Sequence, residues 1–166
     1  MTPGTKLAMR PLLATDLPLL AEIFRASIEE LTGDDYSAAQ QEAWASAADD
    51  PEDFGARLAG ELTLVATYNG SAIGFAALAE NKSIDMLYVH PAAAGQGAGA
   101  MLCDALEKFA AARGTKELTV EASDTARGFF EKRGFIAQTR NTVTLNGEWL
   151  ATTTMMKPLA AKGTVQ

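Results

Sequence analysis

The densest chemistry in the chain lies where a strand-like run gives way to Pro91-Ala92-Ala93-Ala94-Gly95-Gln96-Gly97-Ala98-Gly99-Ala100. Small residues in succession let neighbouring backbone N–H groups turn inward as an anion nest, and a helix opening directly afterwards adds the positive end of its dipole. A diphosphate fits such a cradle. A bare strand-to-helix turn needs the same glycines about as often. Two phosphate loops are excluded by what is missing. No Gly-Lys-Ser/Thr follows, so the lysine and hydroxyl of a P-loop are absent. Leu102 stands where the Gly97, Gly99 spacing requires the third glycine of a dinucleotide loop.

Four other positions carry reactive or recognising groups. Asp85 places a carboxylate inside the apolar run Ser83–His90, where an unpaired buried charge is expensive, so it is salt-bridged, edge-exposed or catalytic. Alternation puts it on the face of Ser83 and Leu87, opposite Met86. His90, next to Pro91, reads as a histidine bonded to its own loop, and Cys103 as a buried thiol. Tyr36 and Trp44 are core or pocket aromatics. They lie within a stretch, Ala26 to Ala56, that holds nine acids (Glu29, Glu30, Asp34, Asp35, Glu42, Asp49, Asp50, Glu52, Asp53) and no Lys or Arg. That is a solvated face or a negative field beside a cationic substrate.

The elements that must position these groups follow from periodicity. Leu7 to Leu12 suits a strand, and Leu17, Leu20, Phe24, Ile28 and Leu31 recur at helical spacing. Ser37 and Gln40 form a capping box for a second helix, and Asp50-Pro51 opens a third. LTLVATY and SAIGFAALA make a hairpin about Asn69-Gly70. A third strand covers Ser83–His90. A helix then spans Ala98–Arg113, with Met101, Leu102, Ala105, Leu106 and Phe109 on one face and Gly114 as its stop. Glu117–Ala122 is a strand, Asp124 caps a helix ending at Gly134, and Phe135–Leu145 and Glu148–Met156 pair through Asn146-Gly147. The order predicts an α/β (α+β) fold with a mixed sheet and helices on both faces.

At 166 residues the chain is expected to be one domain, its core about residues 9–159 and its tail after 159 frayed. One cysteine and one histidine preclude an internal disulfide and a zinc site, so no metal is expected. The net charge of −7 disfavours nucleic acid as a partner. It is uneven, with five basic against thirteen acidic residues in 1–83 and nine against eight in 84–166. No apolar run approaches the ~18 residues of a membrane span, and MTPGTKLAMR lacks a signal-peptide core, so a cytoplasmic location without membrane attachment is expected.

Three segments together, Leu87-Tyr88-Val89-His90-Pro91, Gly95-Gln96-Gly97-Ala98-Gly99-Ala100 and Ala126-Arg127-Gly128-Phe129-Phe130-Glu131-Lys132-Arg133-Gly134-Phe135, resemble the GNAT superfamily of acyl-CoA-dependent N-acyltransferases. The resemblance extends from Met9 to Leu159. Tyr36, Gln40, Trp44 and the ending Met155-Met156-Lys157-Pro158-Leu159 are similar to a bacterial subgroup, which names no acceptor. The family loop Q/R-x-x-G-x-G/A falls on Ala94, Gly97 and Gly99. Ala94 departs from it, but the nest is made of main chain.

The resemblance implies a mostly antiparallel seven-stranded sheet splayed between its fourth and fifth strands, with acetyl-CoA as co-substrate. Its pantetheine arm would lie along Leu87, Tyr88 and Val89, and its pyrophosphate on the amides of Gly95, Gln96, Gly97, Ala98, Gly99 and Ala100. Ser123, Ala126, Phe129, Phe130 and Lys132 are the further cofactor contacts so implied. Ser123 and Phe130 fall where the family often has Asn and Tyr, and Phe130 has no proton to donate. The residues alone read Phe129 as helix-face packing. An amide of Leu87 or Tyr88 would hold the oxyanion. Asp85, its pKa raised toward neutrality by desolvation, would be the base, and Tyr36 and Trp44 would meet a small cationic amine. A CoA-binding module without turnover and a protein N-terminal or lysine acetyltransferase are the rival readings, and a monomer or homodimer fits either.

Overall fold

The computed structural model describes residues 6–160, so most of the tail expected to fray lies outside the described residues. The chain runs β1 (Leu7–Pro11), α1 (Leu17–Leu31), α2 (Ala38–Ala45), α3 (Pro51–Ala59), β2 (Leu62–Tyr68), β3 (Ser71–Ala79), β4 (Ser83–Val89), α4 (Ala98–Ala112), β5 (Glu117–Ser123), α5 (Arg127–Lys132), β6 (Ile136–Leu145) and β7 (Glu148–Pro158). The seven strands form one sheet in the order β1-β2-β3-β4-β5-β7-β6. Every neighbouring pair is antiparallel except β4 and β5. The expected sheet is present.

Local signals set most boundaries. The Ser37 hydroxyl accepts from the Gln40 amide at 3.1 Å while the Gln40 side chain accepts from the Ser37 amide at 2.8 Å, closing the capping box of α2. Asp50 accepts from the amides of Glu52 and Asp53 at the start of α3. Gly114, at φ +88°, ends α4 in a Schellman turn, with Thr115 N–H on the Ala110 carbonyl and Gly114 N–H on that of Ala111. Both Asn-Gly pairs take positive φ at both residues, as a two-residue hairpin turn requires.

Each face of the sheet carries a core. Leu102, Cys103, Leu106 and Ala110 of α4 pack with Phe130 and Phe135 on Leu64, Ala76, Leu78, Leu118 and Met155. On the other face, Leu20, Ile23, Phe24 and Ile28 of α1 and Phe54 and Leu58 of α3 cover Val65, Phe75, Ala77 and Met86. Full burial of such a side chain stabilises by about 1.5–3 kcal/mol, which is what holds the helices to the sheet. Leu31 and Phe109, expected on buried stripes, are 43% and 39% exposed.

Two expectations are overturned. Asp124 does not cap α5, because Arg140 takes its carboxylate at 2.6 and 3.0 Å and holds its pKa below the usual carboxylate range. The Ser123 hydroxyl instead accepts from the Ala126 amide at 3.1 Å. Asp85 does not share a face with Leu87. The β3–β4 register jumps from Ala77↔Met86 to Leu78↔Ile84, which makes Asp85 an extra, bulged residue. Ile84 and Leu87 therefore pack on the α4 side, Met86 and Tyr88 on the α1 side, and Asp85 turns toward α3.

Candidate active site

The parallel β4–β5 pairing holds for two registers, Ser83↔Thr119 and Ile84↔Val120, and then stops. Beyond it the two strands part, and their facing edges are left without each other's hydrogen bonds. Which amides face the gap follows from alternation. His90 N–H donates to the Ile73 carbonyl of β3 at 2.8 Å, so in this antiparallel ladder Tyr88 N–H also points to β3, and Leu87 and Val89 N–H point the other way. Of the two amides expected for an oxyanion, Leu87 offers one to the gap. The Tyr88 amide is spent on β3.

At the end of β4 the glycine loop takes the shape a nest needs. Gly95 has φ +82°, and Gly97, the N-cap of α4, has φ +91°. Met101 N–H closes the first helical turn on the Gly97 carbonyl at 3.0 Å, so the amides of Ala98, Gly99 and Ala100 precede any intrahelical acceptor and remain available. No acidic side chain lies between Gly95 and Ala100 to oppose an anion. His90 bonds its own loop as expected, its Nδ1 accepting from the Ala92 amide at 3.1 Å.

A cavity of ≈ 540 Å³ occupies the gap and crosses the sheet. On the α4 side it is bounded by Ala94, Gly99, Ala126, Phe129 and Phe130, and on the α1–α2 side by Phe24, Tyr36, Trp44 and Tyr88. The aromatic wall is fixed by its own contacts. Tyr36 and Trp44 meet edge-on at 5.5 Å, Phe24 and Tyr88 at 4.7 Å, and the Trp44 indole N–H donates to the Tyr88 hydroxyl at 3.2 Å. Burial pushes the Tyr88 hydroxyl up to about 12. Tyr36 is 5% exposed; its hydroxyl donates to the Ala151 carbonyl at 2.6 Å and accepts from the Asp124 amide at 2.8 Å. Its ring serves the cavity and its hydroxyl serves the fold.

A GNAT acetyltransferase domain model matches residues 32–159. The chain belongs to the GNAT family. This GNAT chain is 34% identical over 134 residues to an uncharacterised N-acetyltransferase, YafP, of Escherichia coli (strain K12), a match covering 81% of this chain and 84% of the relative. It is 59% identical to a GCN5-related N-acetyltransferase of known structure from Rhodopseudomonas palustris, with TM-score 0.92 over 93% of this chain and 97% of that one. The paiA N-acetyltransferase of Thermoplasma acidophilum, solved with coenzyme A, shares the fold at 23% identity and TM-score 0.74, over 93% of this chain and 99% of that one.

The charged groups of this GNAT cavity differ from those expected. Asp85 lines it, but the Arg57 guanidinium grips both carboxylate oxygens, Nε to Oδ2 at 2.7 Å and Nη2 to Oδ1 at 2.8 Å. Burial alone would raise the Asp85 pKa; the Arg57 hydrogen bonds and charge outweigh it, and the carboxyl sits below its ordinary range. The expectation of an Asp85 poised near neutrality is therefore corrected. The raised group is its neighbour Glu61, lifted to about 7 by burial first and Asp85 second. The nine acids of the N-terminal stretch are also displaced: all are exposed and none lines the cavity. Asp50 caps α3, Asp49 pairs with Arg25, and Asp35 accepts from Thr125.

Of the remaining positions, Ser123, Ala126, Phe129 and Phe130 reach the cavity with Leu87, Tyr88 and Val89. Gln96 lies in the exposed loop and Lys132 on the exposed end of α5, both outside the wall. Phe129 does both jobs proposed for it: it borders the cavity and packs on α4, its ring 3.5 Å from where a side chain on Gly99 would begin. Sequence reasoning missed Arg57, Glu61 and Glu121. Arg57 had one visible signal, being the single basic residue between Arg25 and Lys82. Glu121 enters the wall with its carboxylate held by Thr152, Thr154 and Asn141, which keep it ionised.

Proposed function

We propose that this GNAT chain moves the acetyl group of acetyl-CoA directly to the primary amine of a small acceptor. The observation that carries the reading is the single cavity through the β4–β5 gap, with free helix-start amides on one side of the sheet and an aromatic wall on the other. Thioester and amine can approach from opposite faces and meet at the gap. The residues fit acetyl-CoA: the Gly95–Ala100 amides suit its pyrophosphate, and the gap-facing N–H groups of Leu87 and Val89 suit an amide-containing arm lying as an added strand. The complex of the Thermoplasma relative with coenzyme A supports the same assignment.

When bound, acetyl-CoA supplies the activated acyl group. In this reading the Leu87 N–H stabilises negative charge building on the carbonyl oxygen. The amine's lone pair forms the new C–N bond, the C–S bond breaks, and the thiolate leaves; the proton shed by the nitrogen replaces the one that a wall hydroxyl gives to the sulfur. A thiol of pKa ~8.5 leaves readily, so loss of a family tyrosine at Phe130 weakens the step without forbidding it. Among hydroxyls in the wall, Tyr36 has committed its proton to Ala151, whereas Tyr88 accepts from Trp44 and keeps its own proton for the departing sulfur. Burial ensures that it is protonated at neutral pH. An ammonium arriving at an apolar wall finds the Glu121 carboxylate there. The acceptor is accordingly a small amine, cationic in solution, on an apolar body.

The buried Phe130, with no proton to give, favours the rival reading of a CoA-binding module without turnover. A screen of primary amines and peptides with acetyl-CoA, read as free thiol, separates them. Steady release with small amines is expected. Saturable CoA binding without release would favour the module, and release with peptides alone would favour a protein acetyltransferase.

A further inference from the structure

Asp85 poses a difficulty for any reaction that starts from an ammonium ion. It lies in the cavity wall one residue beyond the last β4–β5 pair, yet Arg57 holds it ionised and makes it a weak base. Its geometry, however, leaves it free to conduct. A carboxylate has about four acceptor sites, and Arg57 takes one on each oxygen, so one site per oxygen remains.

Glu61 lies behind it. The residue follows the end of α3 and precedes β2, and its amide bonds the Leu58 carbonyl at 3.3 Å. Its carboxyl is within hydrogen-bonding reach of Asp85, while its Oε1 is buried with no N–H or O–H donor on it. Two ionised carboxylates cannot bond one another, but one proton between them satisfies both. Asp85 borders the cavity and Glu61 does not. The charged groups acting on Glu61 are Asp85 from β4 and Arg57 from α3; Tyr88, farther along β4, acts on Arg57 and is itself raised by Asp85.

We propose that Glu61 is the terminal acceptor of the amine's proton and receives it through Asp85. The inference rests on the amine-acetylation reading above. The acceptor's N–H bond breaks as its proton forms an O–H bond on Asp85, and that O–H bond breaks in turn as the same proton passes to the Glu61 carboxylate. The amine keeps the electron pair and becomes the nucleophile. Glu61, now a neutral acid, returns its proton to water on its partly exposed side. Glu61 touches no substrate and acts only by setting where Asp85 can send a proton. With Glu61 titrating at about 7, the base is occupied below that pH and free above it.

Two readouts test the relay. In protein labelled with carbon-13 at its carboxylates, the signal lost in Glu61→Gln identifies Glu61; it should titrate near 7 in the parent and move down toward the ordinary carboxylate range in Asp85→Asn. With acetyl-CoA and 2-phenylethylamine as probe, kcat of the parent should rise through a limb near the same pH. Glu61→Gln should lose that limb and fall by about 100-fold above it, the scale of general-base catalysis, while Glu61→Asp keeps a limb with a smaller loss. Cooperative melting of both variants well above the assay temperature excludes misfolding as the cause. An ordinary carboxylate titration of Glu61, or an unchanged pH limb in Glu61→Gln, overturns the relay alone. A parent that releases no thiol with this or any other amine, while Glu61 still titrates near 7, overturns the amine reading and the relay with it.

Discussion

Replacing Tyr36 with Phe removes one oxygen and leaves two distant backbone groups without partners. The hydroxyl joins the Ala151 carbonyl of β7, at 2.6 Å, to the Asp124 amide just beyond β5, at 2.8 Å, from a position between α1 and α2. The ring is unaffected, and its edge-on contact with Trp44 at 5.5 Å remains, so no packing void opens. Each orphaned group costs about 1–3 kcal/mol when buried, and partial access to water at this site places the total near 2–3 kcal/mol. For a domain of this size each kcal/mol lowers Tm by about 2–4 °C, so a drop of roughly 4–12 °C is expected. Circular dichroism melts at pH 7 measure it, and hydrogen exchange locates it, since the Asp124 amide should lose its protection first. A Tm within about 1 °C of the parent, with Asp124 still protected, would refute the idea that this hydroxyl fixes the end of β5 beside the gap.

Other outcomes follow from the charges. Glu61 binds its proton more tightly folded than unfolded, so the parent's stability should fall as pH rises from about 4.3, the unfolded value, to about 7; Glu61→Gln should flatten that slope in urea titrations and be the more stable protein above it. Asp85 has the opposite sign: held below its ordinary value by Arg57, it stabilises above about pH 4 and the benefit is lost as pH falls through the folded value, so Asp85→Asn should show a shallower acid-side loss. Because that pair is partly exposed, the variant should cost only about 1 kcal/mol at neutral pH. Glu29, Glu30 and Asp34 lie exposed and away from the cavity, so their joint replacement by amides should change kcat/KM for an amine less than about twofold at physiological ionic strength, where such fields are screened.

What the sequence revealed and what it hid divide along the distance between interacting residues. The capping box at Ser37, the Asp50 cap and the Asn-Gly turns are settled within four residues, and each could be read directly. The glycine loop was legible for the same reason, because positive φ at Gly95 and Gly97 is a local demand. Asp85 was found but misread. Its partner Arg57 lies 28 residues away, and the bulge that turns it toward α3 comes from pairing with β3, which no period along β4 encodes. Asp124 failed as a cap likewise, since Arg140 reaches it from a strand 16 residues on. The acidic stretch looked like a site because charge density is visible in a sequence, whereas the direction in which each side chain leaves its helix is not.

Acetyl-CoA held at the start of α4, beside the parted strands, is what every step above requires. Titration calorimetry of acetyl-CoA into the parent and into Gly97→Glu is the decisive experiment. Gly97 has φ +91° with open space around it, so glutamate there adds about 1–2 kcal/mol of backbone strain and a negative charge in the nest without a steric clash. Saturable one-to-one binding by the parent and none by a folded variant is the predicted result; equal affinity in the two proteins would contradict it.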